Sequence, residues 1–369
     1  MRRRILLVVS FVQGIIFLGH AFVYATWRAF LPASSHRAIS PLGAVFAVLS
    51  VTFVTASLLA WRSSHEVVRL YYTGSAVWLG FLNFFFLAAC GCWPALVLVR
   101  LTGLNWSRPA IGILFFAAGS LAGVYGLFNA SLTRVRRITV QLGKLPASWR
   151  GRVVALVTDM HLGHVRGVGF SRRIMAMVTD LAPDVVLIGG DMFDGTAANL
   201  SALAQPWSQL AAPWGTYFVG GNHEEFAGLQ KCLEAVRSAG IRVLDNEKIE
   251  LDGLQLVGAH YRESSDPQQL RAILRRADLD RARASVLLAH APNQLTVAEE
   301  AAISLQLSGH THGGQFFPFT RIVSRIYGRF VYGLNRLETM QVYTSYGAGT
   351  WGPPMRVGTS PEIVLIEFA

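Results

Sequence analysis

Acidic side chains are almost absent from the first 150 residues, where Glu66 stands alone against 14 Lys and Arg. Cysteine is scarce too: Cys90, Cys92 and Cys232 are the only three in 369 residues. Three isolated thiols give no disulfide framework and no zinc spacing. Cys90 and Cys92 read as apolar filler in a long hydrophobic run. Charged residues make up only 15% of the chain, and the mean hydropathy is +0.39, which excludes a disordered polymer. GxxxxGKS/T does not occur, so a P-loop nucleotide site is excluded. Internal repeats and low-complexity tracts are missing as well.

The chain does carry a formal charge of +11 and a pI near 10.1. On a folded basic domain that balance points to nucleic acid. Its placement argues otherwise. Residues 1–150 are net +13, whereas residues 151–369 hold 19 Lys and Arg against 21 Asp and Glu, a net of −2. The basic part also holds four uncharged apolar runs, 5–27, 41–61, 71–99 and 109–131. Each exceeds the roughly 20 residues a helix needs to cross a hydrocarbon core. Between them lie Arg28 and Arg37, Arg62 and Arg69, then Arg100 and Arg108. A soluble bundle would show polar faces at helical spacing, and these runs show almost none.

Arg2, Arg3 and Arg4 before an apolar stretch resemble the start of a cleaved signal peptide. The run is too long for one and three more follow, so an uncleaved first span is expected. With the start of the chain cytoplasmic, inner segments carry Arg2, Arg3, Arg4, Arg62, Arg69, Arg134, Arg136, Arg137, Lys144, Arg150 and Arg152, and outer loops carry only Arg28, Arg37, Arg100 and Arg108. The bias places the part after the fourth span in the cytoplasm and the chain in the cell (inner) membrane as a multi-pass protein. Gly112, Gly119, Gly123 and Gly126 suit close helix packing. His20 is the one ionisable residue deep in a span, which gives little support to an ion pathway.

Residues 134–149 read as a basic juxtamembrane strand or linker. Beyond them β-rich runs recur, each ending on polar residues: 152–158 at Asp159, 185–190 at Asp191, 216–221 at Asn222, 285–289 at His290 and 304–309 at His310. Further β-like runs are 254–258, 341–345 and 362–368. Helical patterns at 171–181, 229–239 and 266–277 alternate with them, which argues an α/β sheet domain. Ligands of open α/β sheets bind outside the carboxyl ends of the strands. If the strands are neighbours, their five polar ends converge.

What converges is Asp159 and His161 in TDMH, Asp191 in GGDMFD, Asn222 and His223 in GGNHEE, His290 in LLAHAP, and His310 and His312 in SGHTHGGQ. Imidazole, carboxylate and amide without thiolate suit Mn, Fe, Zn or Co. Alternate residues of an extended end point the same way, as Asp-x-His and His-x-His require. Gly189, Gly190, Gly220, Gly221, Gly309, Gly313 and Gly314 flank the ligands and allow close backbone approach.

The order DxH, GD, GNHE, H, GHxH, over roughly residues 150–369, resembles the calcineurin-like metallophosphoesterase superfamily. GHTHGGQ and the stretch GAGTWGPPMRVGTSPEIVLI are similar to its membrane-attached branch, which includes transmembrane metallophosphoesterases and UDP-diacylglucosamine pyrophosphatases. The resemblance implies four α-helical transmembrane spans (1–133), a linker (134–149) and an α/β metallophosphoesterase domain (150–369) built as a β-sheet sandwich flanked by helices. It further implies two divalent metal ions, Mn first among Mn, Fe, Zn and Co. Asp159, His161 and His312 would hold one. Asn222, His290 and His310 would hold the other, with Asp191 bridging. A hydroxide bridging the metals would attack phosphorus, and His223 would give a proton to the leaving oxygen or bind the phosphoryl group.

Other residues keep two readings. Asp194 either orients His223 through its carboxylate or caps a turn. Glu224 is a supporting or surface acid rather than a ligand. His164 is a plain loop histidine or meets substrate, and the role of His260 is open. Arg166, Arg172 and Arg173 meet phosphates or lie in a solvated loop. In FFPFTRIVSRIYGRFVYG, Arg321, Arg325 and Arg329 recur every four residues, so a helix would align them in one stripe beside Phe316, Phe317, Phe319, Ile322, Ile326 and Phe330. Such a basic, apolar helix fits contact with anionic lipid, packing on its own domain, or a protein partner. The expected partners are the lipid bilayer and a phospholipid or lipid-linked phosphate substrate, with no nucleic acid. A soluble nucleotide-type substrate and a membrane sensor with a regulatory domain are the alternatives.

Overall fold

The computed structural model describes residues 2–32 and 36–369. The side chains of Arg2, Arg3, Arg4 and Arg37, on which part of the charge bias rests, lie outside the described residues. The chain divides into two compact units, Met1–Phe128 with Gly352–Met355, and Asn129–Trp351 with Arg356–Ala369.

The first unit is built from α1 (Arg2–Phe30), α2 (His36–Ala60), α3 (Glu66–Thr102) and α4 (Arg108–Ser131). All four are long and apolar enough to cross a membrane. Their packing is that of a bundle meant for an apolar solvent. Ile16, Val23, Phe30, Leu82, Ala89, Cys92, Ile111 and Phe116 form an interior, while Phe11, Leu18, Leu101 and Leu121 are turned outward and exposed. A lipid-facing surface needs no polar side chains. The glycines on α4 work as expected: a Cβ at Gly112 would press on Phe30, and one at Gly123 on Phe81. His20 is buried; its Nε2 accepts from the Trp78 indole at 2.8 Å and its Nδ1 lies 2.7 Å from the Ile16 carbonyl.

The second unit is a two-sheet sandwich. Its strands are β1 (Arg134–Val140), β2 (Val153–Val157), β3 (Val185–Ile188), β4 (Thr216–Phe218), β5 (Arg242–Val243), β6 (Glu247–Leu251), β7 (Leu254–Ala259), β8 (Ser285–Ala289), β9 (Leu305–Ser308), β10 (Gly333–Leu337), β11 (Met340–Thr344) and β12 (Glu362–Phe368). One sheet runs β1-β12-β2-β3-β4-β5 and the other β10-β11-β9-β8-β7-β6. The segment expected as a strand or a linker thus opens with an edge strand, β1, which pairs in parallel with β12 from Arg134↔Glu362 to Val140↔Phe368.

Period-two alternation sorts the strand residues into layers. Val154, Leu156, Val185 and Leu187 meet Leu254, Leu256, Val286 and Leu288 between the sheets. Ala155, Val157, Val186 and Ile188 face the opposite way. They pack under α5 (Val168–Asp180), α6 (Leu200–Ala204) and, beyond the short α7 (Asn222–Ala227), α8 (Leu229–Ser238). On the far face of the second sheet, Val257 and Leu287 lie under α10 (Pro267–Ala277), which follows the short α9 (Tyr261–Ser265), and under α11 (Leu295–Glu300).

The last helix, α12 (Phe319–Tyr327), corrects one expectation. Gly328, at φ +55°, ends it, and Arg329 falls in a separate 3₁₀ turn, so only Arg321 and Arg325 share a helical stripe. The signal is the glycine itself, since a left-handed residue stops a helix.

Candidate metal centre

Parallel pairing brings the polar strand ends level. Val157 pairs with Ile188 and Ile188 with Phe218 in the first sheet, and Leu288 pairs with Leu307 in the second. The five ends come from both sheets and meet across the sandwich edge.

Two clusters result, and His161, Asp194 and His223 form a third close group beside the first. In the first, His161 Nε2 lies 2.9 Å from His312 Nε2, which is 3.4 Å from Asp159 Oδ1. In the second, His290 Nε2 lies 3.1 Å from Asp191 Oδ2, 3.2 Å from Asn222 Oδ1 and 3.2 Å from His310 Nδ1. Asp191 Oδ2 also lies 3.7 Å from His161 Nε2, so this carboxylate stands between the clusters. The ligand atoms of Asp159, His161 and His312 all fall within 4.8 Å of one another, as do those of Asp191, His290 and His310.

This arrangement fits divalent cations. Ring nitrogens and carboxylate oxygens face each other with too few hydrogens to pair them, and buried lone pairs without donors are costly. Burial holds the imidazoles of His161 and His312 below their usual range, which keeps them neutral as ligands must be. Burial also lowers His310, to about 3. His290 departs from this. Burial opposes its protonation, but Asp191 outweighs that and raises it to about 10. The same pairing holds the Asp191 carboxyl below the carboxylate range against its own burial. The site is built for positive charge.

The backbone here is not the extended end expected for Asp-x-His and His-x-His, and it is strained. Asp159 (φ +54°), His161 (+49°), Asp191 (+49°), His310 (+70°) and His312 (+48°) all occupy the left-handed region. Non-glycine residues pay on the order of 1–3 kcal/mol for such conformations when sparsely allowed, and they persist only where surroundings hold them. The hold is visible. Asp159 N donates to Gly190 O at 3.0 Å, His161 N to Asp191 O at 3.0 Å, and His310 N to Asp159 Oδ2 at 3.0 Å. A Cβ at Gly309 would strike Asp159, and one at Gly221 would strike Asp191.

Glu224 is the main brace. It is fully buried. Its carboxylate accepts from Asp191 N (2.9 Å), Gly221 N (2.7 Å) and Phe193 N (2.9 Å), tying the second motif to the third. Burial, with Asp191 nearby, pushes its pKa up to about 7. His260 supports the same loop: its Nδ1 accepts from Gly220 N at 2.7 Å, and its Nε2 lies 3.3 Å from Asp245. His164 meets the Thr196 hydroxyl at 2.9 Å.

His223 projects from α7 with its ring edge-on to His161, centroids 4.6 Å apart. Its Nδ1 lies 2.8 Å from the Asp194 carbonyl, so Nδ1 carries the hydrogen and Nε2 is left for other chemistry. Of the two readings kept for Asp194, an orienting contact with His223 is present, made at 2.8 Å by its backbone carbonyl. Its side chain lies instead 3.5 Å from His161 Nδ1, and burial raises its pKa to about 7. Arg166 is committed elsewhere, to Ala130 O (3.0 Å) and the Thr350 hydroxyl (3.4 Å), with its guanidinium over Phe170. Arg321 and Arg325 are exposed on α12.

Arg356 escaped sequence reasoning. It is fully buried, donating to His312 O (2.8 Å), Tyr346 O (2.7 Å) and Gly349 O (2.6 Å), with Nη2 3.0 Å from His312 Nδ1. Burial lowers its pKa to about 10, far above neutrality, so it stays charged. Nothing in PPMRVGTSP singles it out, because most of its partners are carbonyls.

A two-sheet sandwich with clustered His and Asp at its strand ends defines the architecture of a metallophosphoesterase. The family model for calcineurin-like phosphoesterases matches residues 152–314. The chain is 33% identical over 242 residues to an "Uncharacterized metallophosphoesterase" of Helicobacter pylori, covering 64% of each chain. It is 34% identical over 273 residues to a "Transmembrane protein with metallophosphoesterase domain" of Danio rerio, covering 69% of this chain and 62% of that one. It is 30% identical over 234 residues to the "Phosphodiesterase YaeI" of Escherichia coli, covering 58% of this chain and 81% of that one. The match thus spans just under two thirds of the length of the first two relatives. This chain belongs to the calcineurin-like phosphoesterase family.

Proposed function

We propose that this chain is a membrane-bound phosphoesterase that uses two divalent metal ions, Mn first among the candidates, to hydrolyse a phosphodiester or pyrophosphate bond in a lipid or lipid-linked substrate. The observation that carries the reading is Asp191 standing between two His/Asp clusters, 3.7 Å from His161 and 3.1 Å from His290. Asp159, His161 and His312 would hold one ion, and Asn222, His290 and His310 the other, with Asp191 shared. Two such ions acidify water and neutralise charge on attacking and leaving oxygens.

The chain's own residues supply the rest. His223, fixed by the Asp194 carbonyl, offers Nε2 to hold a proton and give it to the leaving oxygen. Glu224 and His260 keep the loops of Asp191 and Asn222 in place. Phe226 and Trp351, both largely exposed, stand 5.6 and 6.0 Å from the His223 ring and flank the approach with apolar surface. Four apolar helices and relatives named for their transmembrane character support a membrane location, and the arginine bias supports a cytoplasmic domain in an inner membrane.

The test is a screen of the purified full chain with Mn²⁺ against phospholipids, UDP-diacylglucosamine and simple bis-phosphodiesters. Hydrolysis that a chelator removes and Mn²⁺ restores is expected, with the lipid substrates turned over best. Full activity in both Asp191→Ala and His223→Ala would overturn the mechanism. A reporter fused after Ala369 that worked only outside the cell would overturn the orientation.

A further inference from the structure

We propose that α12 and the segment leading into it form a docking surface for an anionic lipid leaflet, placed so that the metal centre opens at the bilayer interface. The proposal rests on the phosphoesterase reading above and gives it a route for substrate.

The helix is unlike its neighbours. α8 and α10 each bury four side chains against the sheets, whereas none of the nine residues of α12 is buried. Phe317 (50% exposed), Phe319 (46%), Ile322 (48%) and Ile326 (67%) fall within ten residues. Positions 319, 322 and 326 share one helical face, and Arg321 and Arg325 leave on the adjoining flank. An exposed apolar stripe flanked by arginines suits the boundary between headgroups and acyl chains. The surface is held in place rather than loose: Phe316 is buried, Thr320 N donates to Phe316 O at 3.2 Å, and Arg321 N to Pro318 O at 3.0 Å.

Its location specifies the occupant. Gln315, just before the segment, accepts at its carbonyl from Val357 N (2.9 Å) and the Thr359 hydroxyl (3.1 Å). The carbonyls of Thr359 and Arg356 in turn accept from Asn129 Nδ2 at 2.8 and 2.9 Å. Asn129 lies in the last turn of α4. Two short links therefore join the root of α12 to the point where the apolar helix enters the domain. Arg134, Arg136 and Arg137 follow that point on β1 and are exposed. A basic rim on a domain that is otherwise net negative complements anionic headgroups, at a point where a bilayer must be near.

The same segment borders the metal centre. Tyr327, the last residue of α12, meets His310 edge-on, with ring centroids 6.2 Å apart. Trp351 is bonded both ways to Gln315, at 2.8 and 2.9 Å, and its ring reaches 6.0 Å from His223. A phosphate in a headgroup could thus meet the cluster without its acyl chains leaving the interface.

The test places a polarity-sensitive fluorophore at Ile326→Cys in the full chain, with exposed Cys90 changed to Ala. The protein is compared in nanodiscs of neutral phosphatidylcholine and in nanodiscs containing phosphatidylglycerol. Blue-shifted emission and quenching by brominated lipid are expected in the anionic discs. Arg321→Glu with Arg325→Glu is expected to lower the docked-to-free ratio by about tenfold or more. Emission that stays water-like in both discs would overturn the proposal. So would shielding that depends on protein concentration and persists in detergent, which would mean contact between copies. The readout needs no turnover, so it stands or falls separately from hydrolysis of a soluble diester.

Discussion

Two buried histidines show how the two units differ. His20, among the apolar helices, has both ring nitrogens matched: Nε2 accepts from Trp78 and Nδ1 faces a carbonyl one turn away. Other polar groups there are settled as locally, with Ser50, Thr52 and Ser57 donating to carbonyls three or four residues back. His161 is buried as deeply, yet its Nδ1 reaches only the Asp194 carboxylate, at 3.5 Å, and its Nε2 faces His312 and Asp191. Burial alone is therefore no sign of chemistry. What marks a site is a set of acceptors aimed at one another and held there by the fold, because only a further positive charge can resolve it.

That contrast can be broken at its centre. Asp191→Ala removes the one carboxylate between the clusters, so it should lower the bound-metal stoichiometry and reduce hydrolysis by about a thousandfold or more, more than the loss of a single stabilising donor. Elemental analysis beside a diesterase assay checks both. His223→Ala should separate chemistry from metal binding. Metal content is expected to stay at the level of the unmodified chain, while kcat falls by about a hundred- to ten-thousandfold, the usual share of a general acid. Loss of metal in this variant would make His223 a ligand.

Much of the domain was legible because five strands are short apolar runs stopped by a polar residue, and those stops gather in the candidate metal centre. Asp159, Asp191, His290 and His310 could be read as side chains in order. Whatever the backbone contributes could not. The left-handed conformations at five candidate ligand positions are carried by loops braced from elsewhere, and Asp and His do not announce them. Asp194 kept two readings because the atom that meets His223 is its carbonyl, which every residue has. The meeting of two separate sheets at one edge was likewise hidden, since parallel pairing across β2, β3 and β4 and across β8 and β9 depends on long-range contacts. The end of α12 at Gly328 was readable, and the four-residue rhythm of the arginines obscured it.

Arg356 gives a smaller effect that sharpens the comparison. Its guanidinium gathers the carbonyls of His312, Tyr346 and Gly349 and fixes the His312 ring. Arg356→Met should weaken metal binding by about 10- to 100-fold, the range for partners that orient a ligand. Titration calorimetry with Mn²⁺ checks this without turnover. Arg356→Lys should recover only part, because a point charge cannot serve three carbonyls in the fixed geometry of a planar fork.

The smallest effect is expected at His20. His20→Leu removes a hydrogen bond to Trp78 and leaves that indole donor and the Ile16 carbonyl to rearrange. The Ile16 carbonyl is already a helix acceptor, so the Trp78 donor bears most of the cost, about 1–3 kcal/mol of bundle stability for a buried unsatisfied group. Thermal unfolding in detergent reads that loss, while metal stoichiometry and soluble-diester hydrolysis should stay within about twofold of the unmodified chain, since a surviving fold changes rates far less than a lost ligand does. A large fall in either would mean that His20 has a role beyond its two local partners, and the contrast between a satisfied and an unsatisfied buried histidine would no longer separate structure from chemistry in this protein.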